Sequence, residues 1–267
     1  MAEVIDVTGE VISPDHENIT PLFMRHLAAY KFFLGYVKGK KVLEVGFGEG
    51  YGTDYLAREA AEITAVDVSQ QLVEHARRKY AKTNVWFMRA DATAFPFPEN
   101  SFDVLVSSQV LEHVKDYMRF LKEAKRVLRP GGTAIFATPN RKAMIDGVNP
   151  YHYKEFSAGE LKAALDEVFG GCELTALFGS PRYMEIKKLE QGFAGKILAV
   201  DFLRLRRFVP RFIKKPLYKR AYESVQKNVE GGSGRGDDIT VDDFQAGGGD
   251  PGKGLDLIGI CVKGARG

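Results

Sequence analysis

Val42-Leu43-Glu44-Val45-Gly46-Phe47-Gly48-Glu49-Gly50-Tyr51-Gly52-Thr53 is the stretch that decides the fold. An apolar run over residues 42–45 meets a turn with glycines at 46, 48, 50 and 52, and a helical pattern resumes through Tyr55, Leu56 and Ala57. This reads as a buried strand, a tight turn and a helix start, with backbone N–H groups able to approach a ligand unobstructed by Cβ atoms. A dinucleotide-binding turn needs G-x-G-x-x-G. Counted from Gly46 and Gly48 the third glycine falls on Tyr51, and counted from Gly48 and Gly50 it falls on Thr53, so both registers fail. The pattern is instead E-x-G-x-G-x-G, from Glu44 to Gly50.

Outward from the turn, strands and helices alternate. Ile63-Thr64-Ala65-Val66-Asp67 is a second short strand that ends in a carboxylate, placed to accept both hydroxyls of a ribose. Val85-Trp86-Phe87-Met88 leads into Arg89-Ala90-Asp91-Ala92, and residues 102–108 form a fourth strand that runs into Gln109-Val110-Leu111-Glu112-His113-Val114. A helix with apolar positions at Tyr117, Phe120, Leu121, Ala124, Val127 and Leu128 stops at Arg129-Pro130-Gly131-Gly132, and residues 133–137 read as a fifth strand. Such alternation predicts a parallel, doubly wound sheet whose ligand sits at the carboxyl ends of the strands. Gly46, Asp67, Asp91, Ser108 and Gln109 all fall there.

Residues 42–53, 65–69, 89–97, 101–114 and 127–140 together resemble, in order and spacing, the successive motifs of the class I S-adenosylmethionine-dependent methyltransferases. The likeness is greatest to the group related to ubiquinone and menaquinone methyltransferases. His26-Leu27-Ala28-Ala29-Tyr30, Thr138-Pro139-Asn140 and residues 149–156 resemble a bacterial subgroup associated with polysaccharide, glycolipid and secondary-metabolite methylation. The resemblance implies an α/β, doubly wound Rossmann-like fold with a seven-stranded mixed sheet and a reversed terminal hairpin, formed by residues 172–177 and 255–262. It implies one methyltransferase domain over 1–267, with a core at about 16–185 and 255–263. It also implies roles. Glu44 and the backbone of Gly46, Phe47, Gly48 and Gly50 hold the amino-acid part of S-adenosylmethionine. Asp67 binds the ribose, Val68 packs on the adenine, Asp91 accepts from the adenine amino group beside Ala92, and Ser108 and Gln109 lie near the sulfonium. Phe47 departs from the small residue or cysteine common at its position; its ring either narrows the turn or points into the protein.

Methyl transfer from a sulfonium is an in-line displacement with a neutral leaving group, so alignment and exclusion of water are the main tasks. A hydroxyl acceptor also needs a base. His113, in Leu-Glu-His-Val, and His152, in Asn-Pro-Tyr-His-Tyr, are the candidate catalytic residues, each weighed against a structural histidine. Glu112 reads as a solvated or capping carboxylate, and His26 as a surface or capping residue ahead of one that lines the cofactor pocket from an N-terminal helix. No metal is expected, because no cluster has metal-ligand spacing along the chain. Cys172 and Cys261 form no disulfide framework and are expected reduced and buried.

The overall charge of +3 conceals an asymmetry. Residues 186–220 carry eleven Lys or Arg against Glu190 and Asp201, a local +9 that leaves −6 elsewhere. This basic amphipathic insertion, over 186–227, reads either as an interfacial helix pair that meets an anionic membrane or a lipid-linked acceptor, or as a lid or oligomer helix. Nucleic acid ranks below both, since no recognition motif accompanies the charge. Residues 228–254, rich in Gly and Asp, read as a mobile loop with a docking element near Ile239 and Phe244. With no signal peptide and no membrane span, the expectation is a cytoplasmic enzyme, in peripheral contact with the inner membrane surface under the first reading. The acceptor expected is a small molecule, a sugar or a lipid-linked glycan methylated on oxygen. The alternatives are a nitrogen or carbon acceptor and a non-catalytic cofactor-binding scaffold.

Overall fold

The computed structural model describes residues 21–143, 149, 151–188 and 238–264, together with Ile12 and Pro14. The basic stretch 189–220, which carries most of the predicted insertion, lies outside the described residues.

The five predicted parallel strands are β1 (Lys41–Val45), β2 (Glu62–Asp67), β3 (Val85–Arg89), β4 (Phe102–Ser108) and β5 (Leu128–Pro139). They are followed by β6 (Cys172–Gly179), β7 (Phe244–Ala246) and β8 (Asp256–Val262). The sheet has eight strands, in the order β3-β2-β1-β4-β5-β8-β6-β7, not seven. The additional strand, β7, comes from the segment expected to be a mobile loop and pairs antiparallel with β6. Its Phe244 and nearby Ile239 are buried, and the Phe244 ring packs 4.6 Å from Tyr183. Two apolar anchors therefore hold a glycine-rich segment down. β8 inserts antiparallel between β5 and β6, and with the antiparallel β7 it makes the sheet mixed. β5 starts directly at the end of the preceding helix: Arg129-Pro130-Gly131-Gly132 is looped out of a continuous strand where the register with β4 shifts, and does not precede it.

Helices α1 (Pro21–Val37), α2 (Tyr51–Leu56) and α3 (Gln70–Lys79) cover one face, and α4 (Tyr117–Val127) and α5 (Ala158–Phe169) cover the other. Alternate strand residues supply the two cores: Val42, Val104, Val106 and Ile135 face the first, and Leu43, Leu105, Ala134 and Phe136 the second. Strands buried on both faces read as near-continuous apolar runs, which is why they were visible in the sequence. Asp116 caps α4 through the Arg119 amide at 3.1 Å, and Ser157 with Glu160 forms a capping box on α5.

Cys172 and Cys261 are not reduced. They stand directly opposite each other on β6 and β8, with Cα atoms 4.4 Å apart, and form a disulfide. The pairing of these two strands, 89 residues apart at the cysteines, is expected from the sequence; the register that sets Cys172 opposite Cys261 is not. Thiol titration in denaturant should find no free thiol before reduction and two after it. The Cys172→Ala variant should lose about 2–4 kcal/mol of unfolding free energy, read by denaturant titration without reductant.

Candidate active site

The strand order reverses between β1 and β4, and the crevice at that point is framed by the segments that leave the two strands. After β1, Gly46, Gly48 and Gly50 all adopt positive φ, at 74°, 59° and 107°. A side chain there would be strained. A Cβ on Gly48 would meet nothing within 4 Å, so this part of the turn faces open space. A Cβ on Gly46 would lie 2.3 Å from Cγ2 of Val110, so the segment after β4 packs against the turn itself. Gly52 is required for another reason: the Tyr30 ring occupies the place of its Cβ.

Asp67, at the tip of β2, clasps the turn. Its Oδ2 accepts from the Gly48 amide at 3.2 Å and its Oδ1 from the Ser69 amide at 2.9 Å. Burial raises its pKa, and these backbone donors draw it partly back. Each oxygen retains acceptor capacity for a ligand hydroxyl. Val68 beside it is 66% exposed, an apolar side chain presented outward at the strand end. Asp91 is exposed and takes the Thr93 amide and hydroxyl, both on Oδ1, at 2.7 and 2.8 Å; these bonds hold its pKa low. Ala92, next to it, is half-buried.

Phe47 turns inward, packing its ring 5.0 Å from Phe87, so only its backbone remains in the turn. Glu44 is buried on β1, where its Oε1 accepts from the Tyr30 hydroxyl at 2.9 Å. Its Oε2 lies outside hydrogen-bond geometry with every neighbour among the described residues. Burial pushes its carboxyl up to about 7, against the pull of the Tyr30 hydroxyl and of the nearby Thr53 hydroxyl, which falls short of hydrogen-bond geometry. Glu49 was not anticipated. It is buried and gathers His75 Nε2, Lys79 Nζ and the Tyr80 hydroxyl at 2.8, 2.7 and 2.6 Å, which fastens the turn to the end of α3. The sequence offered no sign of it beyond an acid between two glycines.

After β4, the Ser108 hydroxyl is buried with no hydrogen-bond partner among the described residues. Gln109 holds a left-handed conformation at φ 57°, fixed by its amide donating to Ala137 O and its side chain donating to Asp256 at 3.1 Å. His26 is half-buried, 3.3 Å from the Tyr51 hydroxyl, and burial pushes its pKa down to about 4, so a surface role does not hold.

Beyond Gln109 a single 3-10 turn, Leu111–His113, presents the second group of side chains. Glu112 is not solvated. It is buried, its Oε2 accepts from Thr138 Oγ1 at 2.8 Å, and burial pushes its carboxyl up to about 7. Its carbonyl receives the amides of Tyr153 and Lys154, which lays the 151–156 segment against the turn. That brings the two candidate histidines together, with ring centroids 4.9 Å apart. Burial, and His152 beside it, push the His113 pKa down to about 4. Asn149 Oδ1 accepts from the Tyr151 amide at 2.9 Å, so its Nδ2 must donate to His152 Nε2 at 3.0 Å. His152 Nδ1 then donates to Glu155 at 3.2 Å. Sequence spacing showed no metal-ligand cluster; in space, however, Glu112, His113 and His152 bring one ligand atom each to within 4.8 Å of one another.

The family pattern described as a methyltransferase domain matches residues 43–136. A Mycobacterium tuberculosis protein named as a probable S-adenosylmethionine-dependent methyltransferase is 35% identical over 206 residues, 75% of this chain and 73% of its own. A Mycolicibacterium smegmatis protein of the same description is 32% identical over 208 residues, 76% and 79% of the two chains. The chain belongs to the S-adenosylmethionine-dependent methyltransferases. The solved [4+2]-cyclase SpnF shares the fold, with TM-score 0.58, 21% identity and coverage of 89% and 80% of the two chains. S-adenosylmethionine is the cofactor, and the crevice fits it. A glycine turn open at Gly48, an acid at the tip of β2, an exposed apolar side chain beside that acid and a Glu44 oxygen with no hydrogen bond among the described residues offer partners for its polar and apolar parts.

Asp67→Ala should weaken S-adenosylhomocysteine binding by about 2–4 kcal/mol in calorimetric titration, since ribose and turn lose one acceptor together. Glu44 supplies a pH signature. A carboxyl whose folded pKa lies above its unfolded value destabilises the free protein as pH rises from 4.5 toward 7, and a ligand ammonium that pairs with the ionised form reverses this. Affinity should therefore rise with pH and be roughly tenfold weaker at pH 6 than at pH 7.5. The slope should vanish in Glu44→Gln.

Proposed function

We propose that this methyltransferase transfers the sulfonium methyl to an oxygen of a small-molecule, sugar or lipid-linked glycan acceptor. The observation that carries the reading is the Glu112–His113–His152 cluster beyond β4, just past the residues assigned to the methionine end of the cofactor. A hydroxyl must lose its proton as the O–C bond forms, and two imidazoles beside a buried carboxylate are groups that can take it. S-adenosylmethionine supplies the methyl group and leaves as a neutral thioether. The chain's part is to hold the cofactor through Glu44, the 46–50 backbone, Asp67, Val68, Asp91 and Ala92. Ser108 and Gln109 bound the methionine end, and the proton departs at the cluster. His152 and His113 are the assigned catalytic residues, with Glu155 as the positioning residue behind His152.

The names of relatives agree with a hydroxylated lipid. A Mycobacterium ulcerans protein, 36% identical over 134 residues that cover 49% of this chain and 48% of its own, is a phthiotriol/phenolphthiotriol dimycocerosates methyltransferase. Such an acceptor fits the bacterial glycolipid subgroup to which the flanking motifs point. It would bring the enzyme to an anionic membrane surface, with the Lys and Arg of 186–220 as the contact. Among the described residues no helix is long and apolar enough to cross a membrane.

The test is methyl transfer from labelled S-adenosylmethionine to a panel of hydroxylated glycans and lipids, with products analysed for methyl ethers. His152→Ala should lower kcat by roughly 10²–10⁴-fold while S-adenosylhomocysteine affinity stays within twofold. Methylated amines or carbons instead of ethers would overturn the oxygen assignment. Tight cofactor binding without product from any class of acceptor would favour the non-catalytic reading.

A further inference from the structure

We infer that Glu112, His113 and His152 form a binding site for one divalent transition-metal ion. Three features beyond proximity support this. The first is the donor set: two imidazoles and a carboxylate suit Zn²⁺, Fe²⁺, Co²⁺ or Mn²⁺, while Mg²⁺ and Ca²⁺ favour all-oxygen ligands.

The second is the orientation of the rings. A carbonyl can only accept, so His113 must donate from Nδ1 to Tyr151 O, 3.4 Å away, and its Nε2 is the unprotonated nitrogen. His152 donates from Nδ1 to Glu155, which likewise makes its Nε2 the lone-pair nitrogen. A ligating histidine whose other nitrogen is held by a carbonyl or a carboxylate is the arrangement that metal sites use to fix the tautomer. The Nε2 of His152 currently takes the Asn149 amide, which the ion would displace.

The third is the carboxylate. Glu112 is buried with Thr138 as its hydrogen-bond donor, so it is oriented and shielded from water. Ligands about 2.1 Å from a tetrahedral ion lie ~3.4 Å apart, so closing from a 4.8 Å spread takes a shift of about 1 Å.

The role of the ion rests on the oxygen-acceptor reading; the site itself does not. Three protein ligands leave a position open. With the ion bound, the two histidines act through it as ligands and not as proton acceptors: a hydroxyl at the open position has its pKa lowered, its proton passes to solvent, and the oxygen attacks the methyl carbon as the S–C bond breaks. The products are the methyl ether and S-adenosylhomocysteine, with no oxidant or reductant involved.

The full-length protein, freed of metal by chelation, is titrated with Co²⁺ and followed by visible absorption. The expected result is one equivalent bound per chain with d–d bands. His113→Ala, His152→Ala and Glu112→Gln should each weaken Co²⁺ binding at least tenfold, with S-adenosylhomocysteine affinity held within twofold as the check on folding. A lack of saturable binding by the wild type, or binding that the histidine variants leave unchanged, overturns the site. Ether formation by chelated enzyme at the full rate removes the ion from the reaction. Co²⁺ bound at the cluster of an enzyme that methylates only nitrogen or carbon leaves the site standing and overturns the oxygen reading alone.

Discussion

The buried ion pair between Arg25 and Asp256 closes the molecule around its site. Arg25 Nε meets Asp256 Oδ2 at 2.6 Å, Nη2 reaches Oδ1, and Nη2 also donates to Leu255 O at 2.9 Å. Burial alone would raise the Asp256 pKa, but the charge and hydrogen bonds of Arg25 outweigh it and hold the carboxyl low. Breaking such a pair by removing one partner strands a charge in the interior, which typically costs about 3–5 kcal/mol. Its position matters more than its energy. Asp256 begins β8 beside the ends of β5 and β6, and its Oδ1 also receives Gln109. One carboxylate thus ties the N-terminal helix, the reversed strand and the strained residue after β4. Gln109 can keep a left-handed backbone because its amide and side chain are both held.

The same helix reaches the cofactor side one turn later. Tyr30 lies five residues after Arg25, stacks over Gly52 and donates to Glu44. α1 therefore seals the crevice at two points, one on β8 and one on β1, and the glycine turn is caught between. From below, Glu49 fastens the turn to α3, and Asp67 holds it from the side. A turn whose glycines permit many conformations is in this way restricted to one. That restriction is how a site whose chemistry depends on alignment avoids losing binding energy to ordering the loop each time a ligand arrives.

The parts legible in the sequence are those whose cause is local. The five parallel strands are short apolar runs between turn signals, and the E-x-G-x-G-x-G turn and the Asp67 carboxylate each sit within a few residues of a strand end. The missed parts are caused by distant pairing. β7 is three residues long inside a glycine-rich segment, and its existence depends on Tyr183 accepting Phe244. The disulfide depends on the β6–β8 register. Arg25 and Asp256 are 231 residues apart, so neither could be read as half of an ion pair. Glu112 looked solvated because nothing in Leu-Glu-His-Val reveals that residues 151–156 will cover it.

The cofactor half is encoded in a continuous strand–turn–helix, residues 41–56, and in single residues at strand tips. The proposed acceptor half is assembled from a 3-10 turn and a separate segment joined mainly through Glu112: its carbonyl accepts from the amides of Tyr153 and Lys154 and its carboxylate accepts from Thr138. Moving the 151–156 segment by one residue would remove His152 from His113 without touching the turn at 46–50. Binding energy for the cofactor can thus stay fixed while the geometry presented to the acceptor varies. In-line transfer demands that the acceptor atom lie on the far side of the methyl carbon from sulfur, so under the proposed reading the placing of the 151–156 segment, more than the glycine turn, governs which acceptor is aligned.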